Sequence, residues 1–212
     1  MPILQQINFW AQKNKTLHET DWHMLCFVND YNSINKIYLG NSLKNNKPAM
    51  ETSADKLFSE KQKTILIART FDMSLQRVWK AWSESESFKK WWGPKNYLCQ
   101  HCSIDFKVGG RLLASMTDEN GKESWSVGTY KVIIPHKKIV MTDNFSDSRG
   151  NILPPPADMR GEWADNQLIR LDFEDLIGGT KLHLQHIGLP TSQYKDCILG
   201  WNESFDKLTK MK

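Results

Sequence analysis

Thr191-Ser-Gln-Tyr-Lys-Asp-Cys-Ile-Leu-Gly-Trp-Asn-Glu-Ser-Phe-Asp-Lys-Leu-Thr-Lys-Met-Lys212 closes the chain, and its spacing decides the fold. Tyr194, Ile198, Trp201, Phe205 and Leu208 recur at steps of four and three, which gathers them on one stripe of an α-helix. Asn202, Glu203, Asp206, Lys207 and Lys210 fall on the opposite, polar face. A helix with an aromatic stripe has to be laid against an apolar surface. The sequence upstream supplies one, in several short segments with the period-two alternation of a half-buried antiparallel sheet. A helix lying across a curved sheet encloses either a filled core or a pocket.

Upstream of the helix, strands are expected at residues 97–108, 111–117, 123–134, 138–145, 167–174 and 180–187. Their turns are marked by Gly109-Gly110, Asp118-Glu-Asn-Gly121, Pro135-His-Lys137 and Ile177-Gly-Gly179. Ile169, Leu171 and Phe173 alternate with Arg170, Asp172 and Glu174. Leu182, Leu184 and His186 likewise alternate with Lys181, His183 and Gln185, so each of these strands has one dry face and one wet face. Residues 64–71 form the first strand. Ser74 then caps a short helix with Leu75, Val78, Trp79 and Trp82 on one side. Ser83-Glu-Ser-Glu86 fits a capping box for a second helix over residues 84–91, stopped by Gly93-Pro94.

With 212 residues, 40% of them apolar, the chain can bury a core without disulfides or metals. Its four cysteines are mostly scattered and its first residues lack a basic, then apolar, leader pattern, which points to a reduced, cytoplasmic protein. No apolar run is long enough for a membrane span. The net charge of +4 is spread rather than clustered: residues 1–63 hold 8 basic and 6 acidic side chains, and the remainder 20 and 18. Nucleic-acid binding is therefore not expected. The composition changes near Thr64. Residues 1–63 read as an extension with apolar islands at 22–28 and 37–39 and a polar linker from Lys44, and the islands either pair as a hairpin around residues 29–35 or stay unpaired. His18, Glu19, Asp21 and His23 in this extension read as a solvated loop.

Five ordered motifs connect residues 64–210 to a known family: Val78-Trp-Lys-Ala-Trp82, Trp91-Trp-Gly-Pro94, Asp105-Phe-Lys-Val-Gly-Gly-Arg111, Gly128-Thr-Tyr130 and Gly200-Trp-Asn-Glu-Ser204. The segment resembles the activator of heat-shock protein 90 ATPase homologues, within the START-like, birch-pollen-allergen-like superfamily. The resemblance implies an α+β helix-grip fold: a seven-stranded antiparallel sheet wrapped on a long C-terminal helix, with two short helices after the first strand, often around an apolar cavity. Chaperone-activating members carry an additional domain, which residues 1–63 are too short and too weakly amphipathic to match.

Candidate site residues follow from that architecture. Residues 64–212 hold seven tryptophans, each able to bury on the order of 150–250 Å². The candidate cavity residues are Trp91, Trp92, Phe106, Tyr130, Phe145, Trp163, Phe173, His186, Trp201 and Phe205. His186 is in phase with Leu182 and Leu184, so its imidazole enters the dry interior, where it either bonds to core partners or orients a ligand. Trp163 follows the long proline-containing connection after Phe145 and either closes the cavity or pins that loop. Cys99-Gln-His-Cys102 lacks a second ligand pair. In an extended strand these cysteines also lie on opposite faces, roughly 10 Å apart, unless the strand breaks at Gln100. Neither a metal nor another cofactor is expected, and no catalytic motif stands out. Asp105 reads as a turn or surface residue, and Glu203 as solvent-facing.

These features support a binder of a small apolar or aromatic molecule. A co-chaperone stimulating a heat-shock protein 90-type ATPase is the second possibility, and a partner-binding or oligomerising module driven by residues 1–63 the third.

Overall fold

A computed structural model describes residues 62–159 and 161–211. The expectations for the islands, hairpin, solvated loop and linker of the extension lie outside the described residues. Seven strands are present: β1 Gln62–Phe71, β2 Cys102–Ile104, β3 Arg111–Thr117, β4 Glu123–Ile134, β5 Lys138–Ser146, β6 Gln167–Leu176 and β7 Gly179–Pro190. Helices α1 Leu75–Ser83 and α2 Ser85–Phe88 connect β1 to β2, and a 3-10 turn at Thr191–Gln193 leads into α3 Tyr194–Thr209. The sheet is antiparallel throughout, in the order β1-β7-β6-β5-β4-β3-β2. It is a meander to which the first strand is added beside the last. The order and pairing are those of the helix-grip fold.

The aromatic stripe of α3 turns inward as its spacing requires. Trp201, Phe205 and Leu208 are buried, while Tyr194 and Ile198 are half-buried against the same core. Phe205 meets Phe71 of β1 edge-on, with ring centres 5.8 Å apart, and Trp201 at 5.7 Å. Leu75, Val78, Trp79, Ala81 and Trp82 of α1 bury as one face. The opposite side of α3 is not simply solvated. Lys207 donates from Nζ to the carbonyls of Trp92 (3.3 Å), Pro94 (3.3 Å) and Tyr97 (2.9 Å). Glu203 accepts the backbone N–H of Lys95 at 3.1 Å, contrary to the solvent-facing role expected for it. Periodicity could not register this, because the loop that covers the two side chains comes from a hundred residues upstream.

Three local expectations need correction. Ser74 holds the N-cap position by its backbone only, its carbonyl accepting from Arg77 (2.9 Å) and Val78 (3.1 Å), with no side-chain cap bond. The second helix is a single turn. Ser83 is the last residue of α1, where the N–H of Glu84 bonds Lys80 at 3.0 Å, so it cannot adopt the extended backbone of a capping box. Finally, β2 is three residues long rather than twelve, and the chain before it is broken between Leu98, which bridges Thr117, and Cys102. After Ile104 the chain turns: Asp105 donates its N–H to Arg111 at 2.8 Å, and a Cβ on Gly110 would lie 2.0 Å from the Asp105 carbonyl oxygen. Val108, within this turn, is 62% exposed.

Because Phe205 is fully enclosed by rings from β1, α3 and the α2 region, Phe205→Ala should lower stability by about 3–5 kcal/mol. Urea denaturation is expected to show a reduced midpoint with an unchanged slope.

Candidate functional site

Strand register sets a row of polar groups across the helix-facing side of the sheet. Ile139 and Met141 of β5 point into the core, so the two-residue repeat carries Asp143 to the same face. Asp143 pairs directly with Gln167 of β6, and Ile169, two residues further on, pairs with His186 of β7. Gln167 and His186 are therefore diagonal neighbours, and His186 Nε2 lies 3.1 Å from Gln167 Oε1. Across the gap from the sheet, the indole N–H of Trp201 donates to His186 Nδ1 at 3.1 Å.

Those contacts define the imidazole. An indole N–H only donates, so Nδ1 must be the acceptor and Nε2 carries the proton toward Gln167 Oε1. Asp143 Oδ2 lies 3.7 Å from the same Nε2. Protonating Nδ1 would set two donors against each other, and burial alone pushes the His186 pKa down to about 3. Burial also pushes Asp143 up to about 7, partly offset by the backbone N–H of Asn144. His186 is 5% exposed and Gln167 3%, whereas the Asp143 side chain keeps 21%. The half-buried Cys197 faces this group from α3, its thiol pushed up to about 11 chiefly by burial, with Asp196 and Asp143 adding to it.

The candidate cavity residues separate into three groups. His186, Trp201, Phe205, Trp91 and Trp92 come together: Trp201 meets Trp92 at 5.5 Å, Phe205 at 5.7 Å and the His186 ring at 5.9 Å, and Trp91 meets Trp92 at 5.8 Å. Trp82 joins them, stacked on Trp201 at 6.1 Å. Phe106, Tyr130 and Phe173 form a second group around Trp79. Phe145 and Trp163 form a third, edge-to-face at 5.0 Å. Trp163 pins its own loop, donating to the Met159 carbonyl at 3.1 Å, while Ala164 donates to Gly188 at 3.1 Å. Gly188 permits that approach, with φ at +94° and only 2.8 Å between its notional Cβ and that of Ala164.

The aromatic group around Trp201 is unevenly satisfied. Trp91 donates to the Ala81 carbonyl at 2.9 Å. The indole N–H groups of Trp82 and Trp92, and the hydroxyl of Tyr130 in the second group, are buried with no hydrogen-bond partner among the described residues. Asp143 and Gln167 carry no role in the sequence reading, and Trp82, read there as one of the residues along one side of the first short helix, is not among its cavity candidates. Asp143 carried a signal, being the charged residue in phase with Ile139 and Met141. Gln167 stood at the expected start of its strand, where alternation had not yet declared a face.

The family described as Activator of Hsp90 ATPase homolog 1-like protein matches residues 72–211, and the chain belongs to it. Solved structures agree on the fold. A Chromobacterium violaceum protein is 24% identical, with a TM-score of 0.58 over 69% of this chain and 94% of its own. An Arthrobacter aurescens protein is 19% identical, with a TM-score of 0.58 over 69% and 83%. The AHSA1 protein of Silicibacter pomeroyi is 17% identical, with a TM-score of 0.55 over 69% and 95%. A comparison with curated proteins finds no match. Fold and family together are those of a ligand-binding or co-chaperone-type module. No helix among the described residues is long and apolar enough to cross a membrane.

Asp143 and His186 act on stability in opposite directions with pH. The folded state favours protonated Asp143, so that contribution is complete below about pH 3.8 and is lost as pH rises to about 7. It favours neutral His186, whose contribution is complete above about pH 6.5 and is lost as pH falls toward about 3. Asp143→Asn removes the first term. Its melting temperature relative to the unsubstituted protein should therefore climb from about pH 4 to about pH 7 and then level off; a difference independent of pH would contradict the assignment.

Proposed function

We propose that the domain is a cytoplasmic receptor for a small aromatic or apolar molecule carrying a hydrogen-bond acceptor, seated between the sheet and α3 against Trp201. One observation carries this reading: the two buried indole donors, Trp82 and Trp92, that flank Trp201 without partners. An unsatisfied buried donor costs roughly 1–3 kcal/mol, and native interiors contain few of them. A carbonyl, carboxylate or phenolic oxygen on the ligand would satisfy them, with its ring or chain against Trp201 and Trp92, which are not fully enclosed. The row Asp143, Gln167 and His186 would give the same space a polar wall behind Trp201. Lys207 and Glu203 support the reading by holding residues 92–97 in place beside Trp92.

Intrinsic tryptophan emission, followed while the full chain is titrated with fatty acids, flavonoids and sterols, tests the proposal. A saturable change is expected with at least one class. Trp92→Phe should keep the fold but weaken binding about 5- to 100-fold, the equivalent of one buried donor. No spectral response to any of the three classes would overturn the reading.

The family match favours a second reading, a protein that binds a heat-shock protein 90-type chaperone and stimulates its ATPase. Exposed Ile152 and Leu153, in the long connection between β5 and β6, would offer that partner an apolar contact. Chaperone turnover measured with and without the protein separates the two.

A further inference from the structure

The Cys99-Gln-His-Cys102 segment, set aside on strand geometry, has a different shape in the folded chain. Leu98 and Thr117 exchange both backbone hydrogen bonds, at 2.9 and 2.8 Å, and Cys102 pairs with Ala114. Between these two pairings the first strand advances four residues and the second only three. The extra residue is a β-bulge, and a bulge shifts the side-chain alternation by one position. Cysteines three apart, which a regular strand would place on opposite faces, are thereby turned to the same side. Burial confirms the phase: Cys99 is 7% exposed in the core and Cys102 and Ile104 pack against it, while Gln100, His101 and Ser103 face solvent.

We infer that Cys99 and Cys102 form a reactive dithiol, a modification site that hydrogen peroxide closes to an intramolecular disulfide. The Cys99 thiol donates to the His101 carbonyl at 3.4 Å, and the two cysteines, on one side of the bulged strand, are close enough for each to perturb the other's ionisation. Their roles are unequal. The hydrogen bond from Cys102 holds the Cys99 thiol below its ordinary value in spite of burial, and the ammonium groups of Lys89 and Lys207 favour its anion. The same bond, burial and the neighbouring Cys99 push Cys102 up. Cys99 is thus the attacking thiolate and Cys102 the resolving thiol.

The chemistry balances with the peroxide as sole oxidant. Cys99 thiolate attacks one peroxide oxygen, forming an S–O bond as the O–O bond breaks, and the departing hydroxide is protonated to water. Cys102 then loses its proton and attacks the Cys99 sulfur, forming the S–S bond as hydroxide leaves and takes up that proton. Two thiols and one peroxide give one disulfide and two waters. Half-buried Cys197 is an internal control, because its thiol is pushed up to about 11 and carries little anion at neutral pH.

The full chain treated with hydrogen peroxide, blocked with N-ethylmaleimide and digested with trypsin without reductant tests the site. Cleavage after Lys95 and Lys107 places both cysteines in one peptide, residues 96–107. That peptide should lack two hydrogen atoms and take up no maleimide, and should accept two equivalents once reduced. This oxidation should run at least about tenfold faster than that of Cys197. In Cys102→Ser, dimedone should trap a sulfenic acid on Cys99, while Cys99→Ser should leave Cys102 unlabelled. Maleimide on both positions of the oxidised protein, oxidation of Cys197 ahead of the pair, or sulfinic acid accumulating on Cys99 of the unsubstituted chain would each overturn the inference.

Discussion

The buried hydrogen bond from the Trp201 indole to His186 Nδ1 ties the terminal helix to the middle of the sheet, while a more exposed ion pair joins Asp206 of the helix to Arg69 of β1. The rest of its buried contact is made by rings and aliphatic side chains, whose attraction is large but tolerant of sliding and rotation. A directed bond between two buried groups is not tolerant. It fixes the rotation of the helix, and through the donor-only indole it fixes which imidazole nitrogen holds the proton. That choice in turn aims Nε2–H at Gln167 and toward Asp143, so the polar row across β5, β6 and β7 is oriented from the helix side.

The two faces of the helix hold different parts of the chain. The aromatic stripe covers the sheet, and on the other side Lys207 and Glu203 hold the loop that carries Trp92. The interior around Trp201 is therefore bounded by elements that all answer to α3: the sheet through His186, α1 through Trp82, and the loop through Lys207. Lys207 brings a partly buried ammonium group, its pKa lowered chiefly by burial, against three carbonyls and close to Cys99. Trp92 of the proposed receptor site and Cys99 of the proposed dithiol thus flank, in sequence, one helix-held loop.

Much of the fold could be read from periodicity. The spacing of Tyr194 through Leu208 located the helix and its buried stripe, and the alternation at Leu182, Leu184 and His186 placed a histidine in the interior where it is found. The arrangement of the polar row was harder to see, because it depends on register. Asp143 and Gln167 become neighbours only when β5 and β6 are aligned, and one sequence carries no measure of that alignment. The bulge before Cys102 was hidden for a related reason, since an inserted residue is visible only against the partner strand. Among the cavity candidates, ring size identified residues that bury but not which of them meet. Phe106 and Tyr130 gather around Trp79, apart from the rings around Trp201.

The protonation of His186 is the most direct probe of this organisation. Long-range nitrogen–proton correlation spectra of the labelled full chain would report the tautomer and charge of each imidazole. The account predicts that His186 carries its proton on Nε2 and keeps an unprotonated Nδ1 from about pH 8 to about pH 5. A proton on Nδ1, or a His186 titration centred near the ordinary value of about 6.5, would mean that Trp201 does not hold the ring and that helix and sheet are joined in some other way.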